Sequence, residues 1–349
     1  MTQGKGRGSV TVSDVARLAG VSPGTVSKAL NGRGQLRVQT RERVVKAAEE
    51  LGFHVNLLAR SLIEGRTYTV GVLTTDSFGR FTIPVMLGAE DTLGAGQMSV
   101  LLCDGRGDRI REQHYLRTLL ARRVDGIIVT GRSSDPRPSL GRNLPVPVVY
   151  ALAQSEDPAD LSFLPDDRQG AQLAIRHLLS TGRRHIAHIT GPERHRATQR
   201  RRDGAHDVLA ESGNRLVTGA ALTGEWSERW GREAMHLLVR RREKFDAVFC
   251  GSDQIARGVL DALRETGISV PHEVGVVGVD NWEVMAETAR PPLTTVDLNL
   301  SELGHVAATE LLRAISGTPL VPGVRLLPCR VVARQSTEAP VTLPRPVPL

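Results

Sequence analysis

From residue 66 onward, the chain alternates short apolar, β-branched runs with longer segments of helical periodicity. Most of the apolar runs are continuous, which is typical of strands that are buried on both faces of a parallel sheet. Strand–helix–strand units repeated in this way predict an α/β fold, with parallel sheets covered by helices. The predicted strands cover residues 69–73, 98–103, 126–129, 147–150, 185–190, 216–220, 246–250 and 274–279.

Eight strands can form one large sheet, or two smaller sheets with a crevice between them. The Pro-containing segment 155–167 and the pair Pro291 and Pro292 suit crossings between two lobes. A final helix is expected at residues 301–315 and a final strand at residues 325–332. Because four of the last ten residues are proline, we expect the tail, residues 339–349, to be disordered.

Residues 11–51 contain three helical patterns and no strand pattern, with helices predicted at residues 12–19, 23–30 and 38–51. Thr11 and Asp14 have the spacing of a capping box, and Gly20 suits a helix end. Ser22 is expected to cap the second helix, since serine is a preferred residue before a helix start. Pro23 is well tolerated as the first residue of that helix. The short Gly-containing link is typical of a helix-turn-helix. The expected core combines Ala16, Ala19, Val21, Val26, Leu30, Val44, Val45, Ala48 and Leu51.

The net charge of +7 is concentrated at the N-terminal end, where residues 1–65 hold ten Lys and Arg against five Asp and Glu. A basic segment on a near-neutral body suggests a module that binds a polyanion, although a solvated basic arm has the same composition. The second helix presents Thr25, Ser27, Lys28 and Asn31 around its apolar positions. These side chains suit a DNA groove. From composition alone, a protein-interaction domain remains open.

Several classes of protein are disfavoured by the sequence. The apolar runs are far shorter than the roughly 20 residues of a membrane helix, and the N-terminus lacks the apolar region of a secretory signal, so we expect a cytoplasmic protein. The phosphate-loop and nucleophile-elbow motifs are absent from the sequence. We expect no cofactor and no metal, and we interpret His185, His188 and His195 as a basic surface feature. The three cysteines suit small buried apolar side chains.

Several long segments of the chain carry distinctive motifs. The N-terminal part reads VTVSDVARLAGVSPGTVSKALNGRG and then TRERVVKAAEELGFHVNLLARSL. The other segments are RVDGIIV at residues 123–129, residues 165–191, SDQIARGVLDALRETGISVPHEVGVVGVD at residues 252–280, and RPPLTTV at residues 290–296. These segments closely resemble the LacI/GalR family of bacterial transcription repressors, and the resemblance covers nearly everything except the two tails. It implies a helix-turn-helix headpiece followed by a two-lobed core like that of periplasmic sugar-binding proteins.

For the headpiece, the resemblance implies that the second helix is the recognition helix. Pro23, Gly24 and Lys28 stand where family members read bases, and only Lys28 offers a side-chain donor. The residues expected to position the helix on phosphates are Ser22, Thr25, Ser27 and Asn31. Arg37 replaces the usual Ser cap of the third helix, so that helix either starts without a side-chain cap or uses Arg37 as a phosphate contact.

Residues 56–64 resemble the hinge helix of the family, with Asn56 at the start and Ala59 and Leu62 matching residues that enter the minor groove. A helix of this length is too short to be stable alone in water. The resemblance implies that it folds between operator DNA and the hinge of the partner subunit, with the leucines wedged into a base step. Val55 replaces the usual Pro before Asn56. A plain linker with an incidental leucine is the alternative.

For the core, the resemblance implies a small effector in the cleft, and parallel strands independently place ligands at their carboxyl ends. The predicted domains are a basic tail (1–10), the headpiece (11–55), the hinge (56–65) and the core (66–338). Lobe 1 is predicted at residues 68–163 and 297–323, and lobe 2 at residues 164–293 and 324–337. The expected effector contacts are Thr75, Asp76, Phe81, Thr130, Arg201, Trp226, Ser252, Asp253 and Asp280.

The sequence therefore predicts a homodimeric regulator, expected to be a repressor, that binds a palindromic operator and a small effector, most simply a sugar. A dimer is expected because one recognition helix covers too few base pairs to select a site. Two alternatives stay open at this point. A sugar-binding protein without regulation would have no use for the headpiece, and a sugar-modifying enzyme would need an acid–base pair such as Asp76 with Asp280.

Overall fold

The computed structural model describes residues 10–30, 36–53, 65–95 and 98–338. The chain divides into two compact units on either side of the Thr67–Tyr68 bond, close to the predicted start of the core. We call the first unit the headpiece and the second the core, and each is described by itself. The predicted hinge, residues 56–64, the predicted basic tail before residue 10 and the Pro-rich tail, residues 339–349, lie outside the described residues.

The headpiece contains three helices: α1 (Val12–Ala19), α2 (Pro23–Leu30) and α3 (Val38–Leu51). The predicted capping box is confirmed, since the Thr11 hydroxyl accepts from the backbone N–H of Asp14 and the Asp14 carboxylate accepts from the N–H of Thr11 at 3.0 Å. Gly20 ends α1 with a φ of 65°, a conformation that suits glycine. At the start of α3, Arg37 makes no side-chain capping bond.

The three helices pack around a small apolar core, as predicted. Val45 is the exception, because its side chain is exposed while its neighbours Val44 and Ala47 point inward. One residue along a helix turns the side chain by about 100°, and on α3 that turn carries Val45 from the buried face to the solvent. The buried residues are Val15, Ala16, Ala19, Val26, Ala29, Val44, Ala47 and Ala48.

The core contains two six-stranded sheets. In sheet 1 the strand order is β13-β7-β5-β3-β1-β2 and all pairs are parallel. Its strands are β1 (Thr69–Thr74), β2 (Ser99–Asp104), β3 (Gly126–Thr130), β5 (Val148–Ala151), β7 (Leu161–Pro165) and β13 (Gly323–Leu327). A short separate pair joins β4 (Pro136–Arg137) to β6 (Gln154–Ser155).

In sheet 2 the strand order is β14-β12-β11-β10-β8-β9, and only β14 runs antiparallel to its neighbour. Its strands are β8 (Ile186–Thr190), β9 (Leu222–Thr223), β10 (Ala247–Cys250), β11 (Gly275–Val279), β12 (Thr294–Asp297) and β14 (Arg330–Val332). Two sheets confirm the expectation of two lobes.

Helices cover both sheets. Lobe 1 consists of sheet 1 with α4 (Thr82–Ala95), α5 (Arg109–Ala121) and α11 (Leu300–Ile315). Lobe 2 consists of sheet 2 with α6 (Asp167–Ser180), α7 (Arg196–Glu211), α8 (Glu228–Arg240), α9 (Asp253–Glu265) and the short α10 (Glu283–Ala286). The closest helix pair in lobe 1 is glycine-dependent, since a Cβ on Gly88 would lie 1.8 Å from the carbonyl oxygen of Ser301.

The structure corrects three predicted boundaries. The predicted strand at residues 325–332 is two strands in different lobes, β13 in sheet 1 and β14 in sheet 2, so residues 324–327 do not belong to lobe 2. Residues 216–220 are not a strand, and β9 lies just beyond them. The proline pair at 291 and 292 precedes β12 within lobe 2, so the crossing lies after Asp297.

The structure also bears on two expectations from the sequence, those about membrane helices and about the cysteines. Within the described residues, none of the helices is long and apolar enough to cross a membrane. Cys250 and Cys329 are buried, as expected, whereas Cys103 is only partly buried.

Candidate functional site

In both sheets, polar residues lie in the segments that follow the carboxyl ends of the parallel strands. In lobe 1 the loop after β1 carries Thr75, Asp76 and Arg80 before α4 begins. In lobe 2, Asp253 is the first residue of α9, which follows β10, and Asp280 directly follows β11. Contacts between these loops define the interlobe cleft, which is the first candidate site.

Arg80 of lobe 1 crosses the cleft and binds lobe 2. Its guanidinium is paired with the Asp280 carboxylate, and its Nη1 donates to Oε1 of Gln254 at 2.7 Å. The same guanidinium lies 4.6 Å from the centroid of the Trp282 ring. The Arg80 and Asp280 side chains are only 13% and 5% exposed. The two lobes are therefore held together by a buried ion pair with an aromatic partner.

A second bridge lies between the loop after β3 and the start of α7. Nδ1 of His195 lies 2.7 Å from one Asp135 carboxylate oxygen, and the backbone N–H of Arg196 donates to the other oxygen at 2.7 Å. Burial raises the pKa of Asp135, but the bonds from Arg196 and His195 outweigh it and the net shift is downward. Next to this bridge, the Ser134 hydroxyl donates to Asp167 at 3.3 Å.

Arg201 is a buried residue on the lobe 2 side of the cleft. Its Nε donates to Asp167 at 2.8 Å and its Nη1 donates to the Gly251 carbonyl at 2.5 Å. Both partners of the ion pair are about nineteen-twentieths buried, with 6% and 5% of the side chains exposed. Trp226 lies over the same region, with its ring centroid 5.9 Å from the Arg201 guanidinium. A Cβ on Gly191 would lie 2.2 Å from this ring, so only glycine admits the indole here.

Asp253 organises the turns around Asp280. Its carboxylate accepts from the Thr295 hydroxyl at 2.5 Å and from the backbone N–H of Trp282 at 2.8 Å. Burial, with a further contribution from the negative charge of Asp280, raises the pKa of Asp253 to about 8. Burial also raises the pKa of Asp280, although Arg80 and Arg201 oppose this shift. The pair is therefore a place where negative charge is costly unless a cation lies beside it.

The structure assigns structural bonds to two of the predicted effector contacts. The Asp76 carboxylate accepts from the backbone N–H groups of Phe81 and Thr82 at 2.8 and 2.9 Å, which satisfies the start of α4. The Ser252 hydroxyl accepts from the N–H of Ile255 at 3.2 Å and caps α9. Both residues lie at strand ends, as predicted, but their polar atoms already serve the fold.

The other predicted contacts fall into different environments. The Thr130 hydroxyl is buried and has no hydrogen-bond partner among the described residues. Phe81 lies on one side of the Arg80 guanidinium, 4.7 Å from it. Thr75 lines a cavity of about 270 Å³ in lobe 1.

Six residues of the cleft escaped the sequence prediction. Arg80 and Trp282 lie a few residues beyond Asp76 and Asp280, so a wider window after each strand would have included them. The others are side chains whose partners lie in the other lobe or on another helix, and no local pattern marks them. The six residues are Arg80, Asp135, Asp167, His195, Gln254 and Trp282.

The interpretation of three histidines as a surface feature is wrong for two of them. His188 on β8 is fully buried against Phe249, and neither ring nitrogen has a partner among the described residues. His195 joins the lobes through Asp135. Only His185 is mainly exposed, where it pairs with Asp246.

The second candidate site is the outer face of α2 in the headpiece. Val26 and Ala29 are buried, which leaves Pro23, Gly24, Ser27 and Lys28 exposed. Ser22 and Thr25 are not simply available to phosphates, because the Ser22 hydroxyl lies 2.9 Å from the Thr25 hydroxyl and accepts from its backbone N–H. Asn31 and the predicted hinge contacts Asn56, Ala59 and Leu62 lie outside the described residues.

Comparison with known proteins gives matches to both units. Residues 11–56 match the family model described as bacterial regulatory proteins, lacI family, and residues 175–337 match the periplasmic binding protein-like domain. The chain is 31% identical to catabolite control protein A of Priestia megaterium over 331 residues, covering 94% of this chain and 99% of that protein. It is 33% identical to the ribose operon repressor of Escherichia coli (strain K12) over 309 residues, covering 88% and 93%.

Solved structures agree with these matches. The lac repressor dimer bound to operator and the anti-inducer ONPF has a TM-score of 0.72 at 27% identity, covering 95% of this chain and 100% of that chain. The complex of the transcriptional regulator CelR with cellobiose has a TM-score of 0.64 at 30% identity, covering 94% and 99%. The similarity therefore spans the headpiece and the core.

Proposed function

Because the chain belongs to the LacI family of bacterial regulatory proteins, we propose how this DNA-binding transcription regulator selects its operator and responds to a small molecule. In this proposal it is a homodimeric, cytoplasmic repressor of a palindromic operator. A small effector, most simply a sugar or sugar derivative, binds between the lobes and changes operator affinity. The relatives named for ribose and crystallised with cellobiose support the class of effector.

In the headpiece, α2 enters the major groove. The exposed positions at its start, Pro23 and Gly24, let the backbone approach the bases closely but carry no side-chain donor. Lys28 is exposed one turn further along and reads a base edge, most simply the acceptors of guanine. Ser27 contacts the phosphate backbone, and Ser22 and Thr25 support the helix start, because their hydroxyls are bonded to each other.

Dimerisation is supported by an exposed apolar strip on lobe 1. Ile83 and Leu87 lie one turn apart on α4, and both are about half exposed, at 48% and 54%. Leu102 on the edge strand β2 and Phe78 before α4 are also exposed. A group of large apolar side chains on one edge of a lobe is typical of a protein–protein interface. Two subunits joined there would present two headpieces to a palindrome.

The observation that carries the effector proposal is the buried Arg80–Asp280 pair between the lobes. Separating the lobes would leave both charges without their partner, and the ion pair therefore stabilises the closed arrangement of the lobes relative to an open one. A ligand that binds one arrangement of the lobes better shifts their equilibrium by its differential affinity. Opening or closing the lobes moves the lobe 1 surfaces and so changes how the paired hinges meet the operator.

The contacts of the two cleft acids disfavour an enzyme. A sugar-modifying enzyme would need Asp76 and Asp280 as an acid–base pair. Asp76 accepts two backbone N–H bonds, and Asp280 is paired with Arg80. Neither carboxylate is therefore in a position to act on a substrate without breaking bonds that hold the fold.

The proposal is tested by selecting operator sequences from random duplexes with the full chain, followed by gel-shift competition. We expect a palindromic consensus, and we expect Lys28→Ala to relax base preference at one position per half-site. Each good base contact contributes roughly 1–3 kcal/mol of discrimination, so the preference should fall about tenfold. Lys46→Ala on the exposed side of α3 is the matched control, and it should weaken all sequences alike.

The hinge is tested in the same assay. We expect Leu62→Gly to weaken binding to the selected operator far more than binding to random duplex, because the leucine acts only in the kinked complex. If no consensus emerges, or if Lys28→Ala and Lys46→Ala behave alike, the assignment of α2 is wrong. Equal losses on both duplexes for Leu62→Gly would contradict the hinge proposal.

A further inference from the structure

Lobe 1 contains a cavity of about 270 Å³ at the carboxyl ends of several strands of sheet 1. One wall is formed by the first turns of α5, and the other by residues 131–140. Gly107 after β2, Gly131 after β3 and Ala153 after β5 also line it. Because none of these three residues has a large side chain, the space between the strand ends and the helix stays open. The volume is near the lower end for small-molecule pockets and suits a monosaccharide-sized ligand.

The charges that line this cavity are unbalanced in favour of cations. Both acids already have partners: Glu112 is paired with Arg137, and Asp135 is bonded to His195 and to the N–H of Arg196. Arg109 and Arg132 also line the cavity. In the part of the chain that the structure describes, their side chains make no hydrogen bond or ion pair. Two guanidinium groups beside a cavity are suited to a carboxylate or phosphate, which they can bind with paired hydrogen bonds.

We propose that this cavity binds the anionic group of the effector, so that the effector is a sugar phosphate or a sugar acid. This inference rests on the proposed function. Arg109 and Arg132 bind the anion, and the hydroxyls of Thr75, Ser133 and Ser139, which line the same cavity, bind hydroxyl groups of the ligand. A neutral sugar leaves both arginines without a partner and binds more weakly.

The cavity is also placed to influence lobe closure. Asp135 lines it and at the same time holds the start of α7 in lobe 2 through His195 and Arg196. Arg132 and Asp135 lie three residues apart on the same loop. An anion that draws Arg132 inward therefore acts on the segment that joins the lobes. Anion binding and operator affinity should be coupled through this loop.

The test uses the full chain and measures thermal stability and binding heat at constant ionic strength. The probes are inorganic phosphate against chloride, then glucose 6-phosphate and gluconate, each against glucose. Phosphate and at least one anionic sugar should raise the melting temperature more than chloride or glucose does, because a bound ligand stabilises the folded state. A response to glucose 6-phosphate alone would identify a phosphate site, and a response to gluconate would identify a site that accepts a carboxylate.

The double variant Arg109→Ala/Arg132→Ala should weaken phosphate binding by about tenfold or more, because hydrogen bonds to charged groups are among the stronger ones. The matched control is Arg111→Ala/Arg117→Ala, which removes the same charge from α5 outside the cavity lining and should leave binding unchanged. The inference is overturned if phosphate stabilises no more than chloride, or if the double variant and the control respond alike.

Gel shifts on the selected operator separate this inference from the proposed function. Without added anion, the wild type and the double variant should bind operator equally. If a neutral sugar alone changes operator affinity and the double variant keeps that response, the regulator remains and the anion site is wrong. If the wild type selects no operator, the proposed function is wrong, and this result does not depend on whether anions bind.

Discussion

The headpiece and the interlobe cleft of this chain are held together by interactions of very different range. In the headpiece, Thr11 bonds Asp14 and Ser22 bonds Thr25, each three residues along the chain. In the cleft, Arg80 bonds Asp280 across 200 residues of sequence, and Asp135 bonds His195 across 60. The difference shows that the helix starts of the headpiece are fixed by close neighbours in the sequence, whereas the cleft depends on side chains that only the complete fold brings together.

The charges of the two regions differ in the same way. The headpiece carries Lys28 and several arginines on its surface, where they can meet phosphates and where losing one has little effect on folding. The cleft carries its charges buried and paired, as with Arg201 and Asp167. A buried charge that loses its partner is costly. Substitutions in the cleft should therefore affect stability, and equivalent substitutions in the headpiece should affect mainly DNA binding.

The largest expected effect is that of Arg201→Ala. It leaves the Asp167 carboxylate buried without its cation and removes the bond to the Gly251 carbonyl. We expect a loss of about 3–5 kcal/mol in the free energy of unfolding of the core. The three tryptophans, at 226, 230 and 282, all lie in lobe 2, so tryptophan fluorescence in a denaturant titration measures it directly.

Arg202→Ala is the control for this prediction, because Arg202 is the next residue on α7 but its side chain is 42% exposed, beside Glu193 and Asp203. Amide exchange in α1 should be the same in both variants if the headpiece is independent. Equal stability of Arg201→Ala and Arg202→Ala would remove the contrast between buried and exposed charge.

An effect of intermediate size is expected from His188, the buried histidine whose ring nitrogens have no hydrogen-bond partner among the described residues. Burial lowers its pKa to about 3, and the nearby positive charges of Arg201 and Arg202 contribute. The unfolded chain therefore takes up this proton near pH 6.5, while the folded chain does not. Stability falls as the pH falls from about 6.5 towards 3, by roughly 2 kcal/mol at pH 5 through this group.

His188→Leu should remove this part of the pH dependence and raise stability at pH 7 by about 1 kcal/mol, since no unbonded nitrogen remains buried. Denaturant titrations at pH 7 and pH 5 measure both effects. The exposed His272 serves as the control, and His272→Gln should leave the profile unchanged. A wild-type profile that persists in His188→Leu would show that the buried ring is not responsible.

The smallest effects are expected at the helix caps of the headpiece. Thr11→Ala removes the capping box of α1 and should cost about 1 kcal/mol, whereas Arg37→Ser supplies the missing cap of α3 and should add a similar amount. Amide exchange within α1 and α3 detects both changes, and tryptophan fluorescence should detect neither. A shift in the fluorescence transition would mean that the two units do not unfold independently.

Most of the strands could be predicted from the sequence, because a buried parallel strand is a continuous apolar run. The predicted strand at residues 69–73 is β1 without its last residue, and the one at residues 126–129 is β3 without its last residue. β7 was missed because acidic and proline residues surround it, although all five of its residues are buried. The split of residues 325–332 between two sheets could not be predicted, since both halves have the same apolar character.

For the candidate site, the sequence identified the strand ends correctly but not the pairings between the side chains. Asp280 and Arg201 were found by their position after a strand and by resemblance, and the structure adds Arg80 and Asp167 as their partners. Asp76 shows the opposite case, because its position is right and its bonds belong to the start of α4. A carboxylate at a strand end looks the same in sequence whether it binds a ligand or a backbone N–H.

The sequence by itself determined the α/β class, the three helices of the headpiece, the basic character of that end and membership of the family. These properties follow from periodicity, capping and turn chemistry, which act over a few residues. The tertiary structure alone decided which charges meet in the cleft, which histidine is buried, and where lobe 1 leaves a cavity lined by Arg109 and Arg132. Those outcomes depend on how two sheets, built from distant parts of the chain, close on each other.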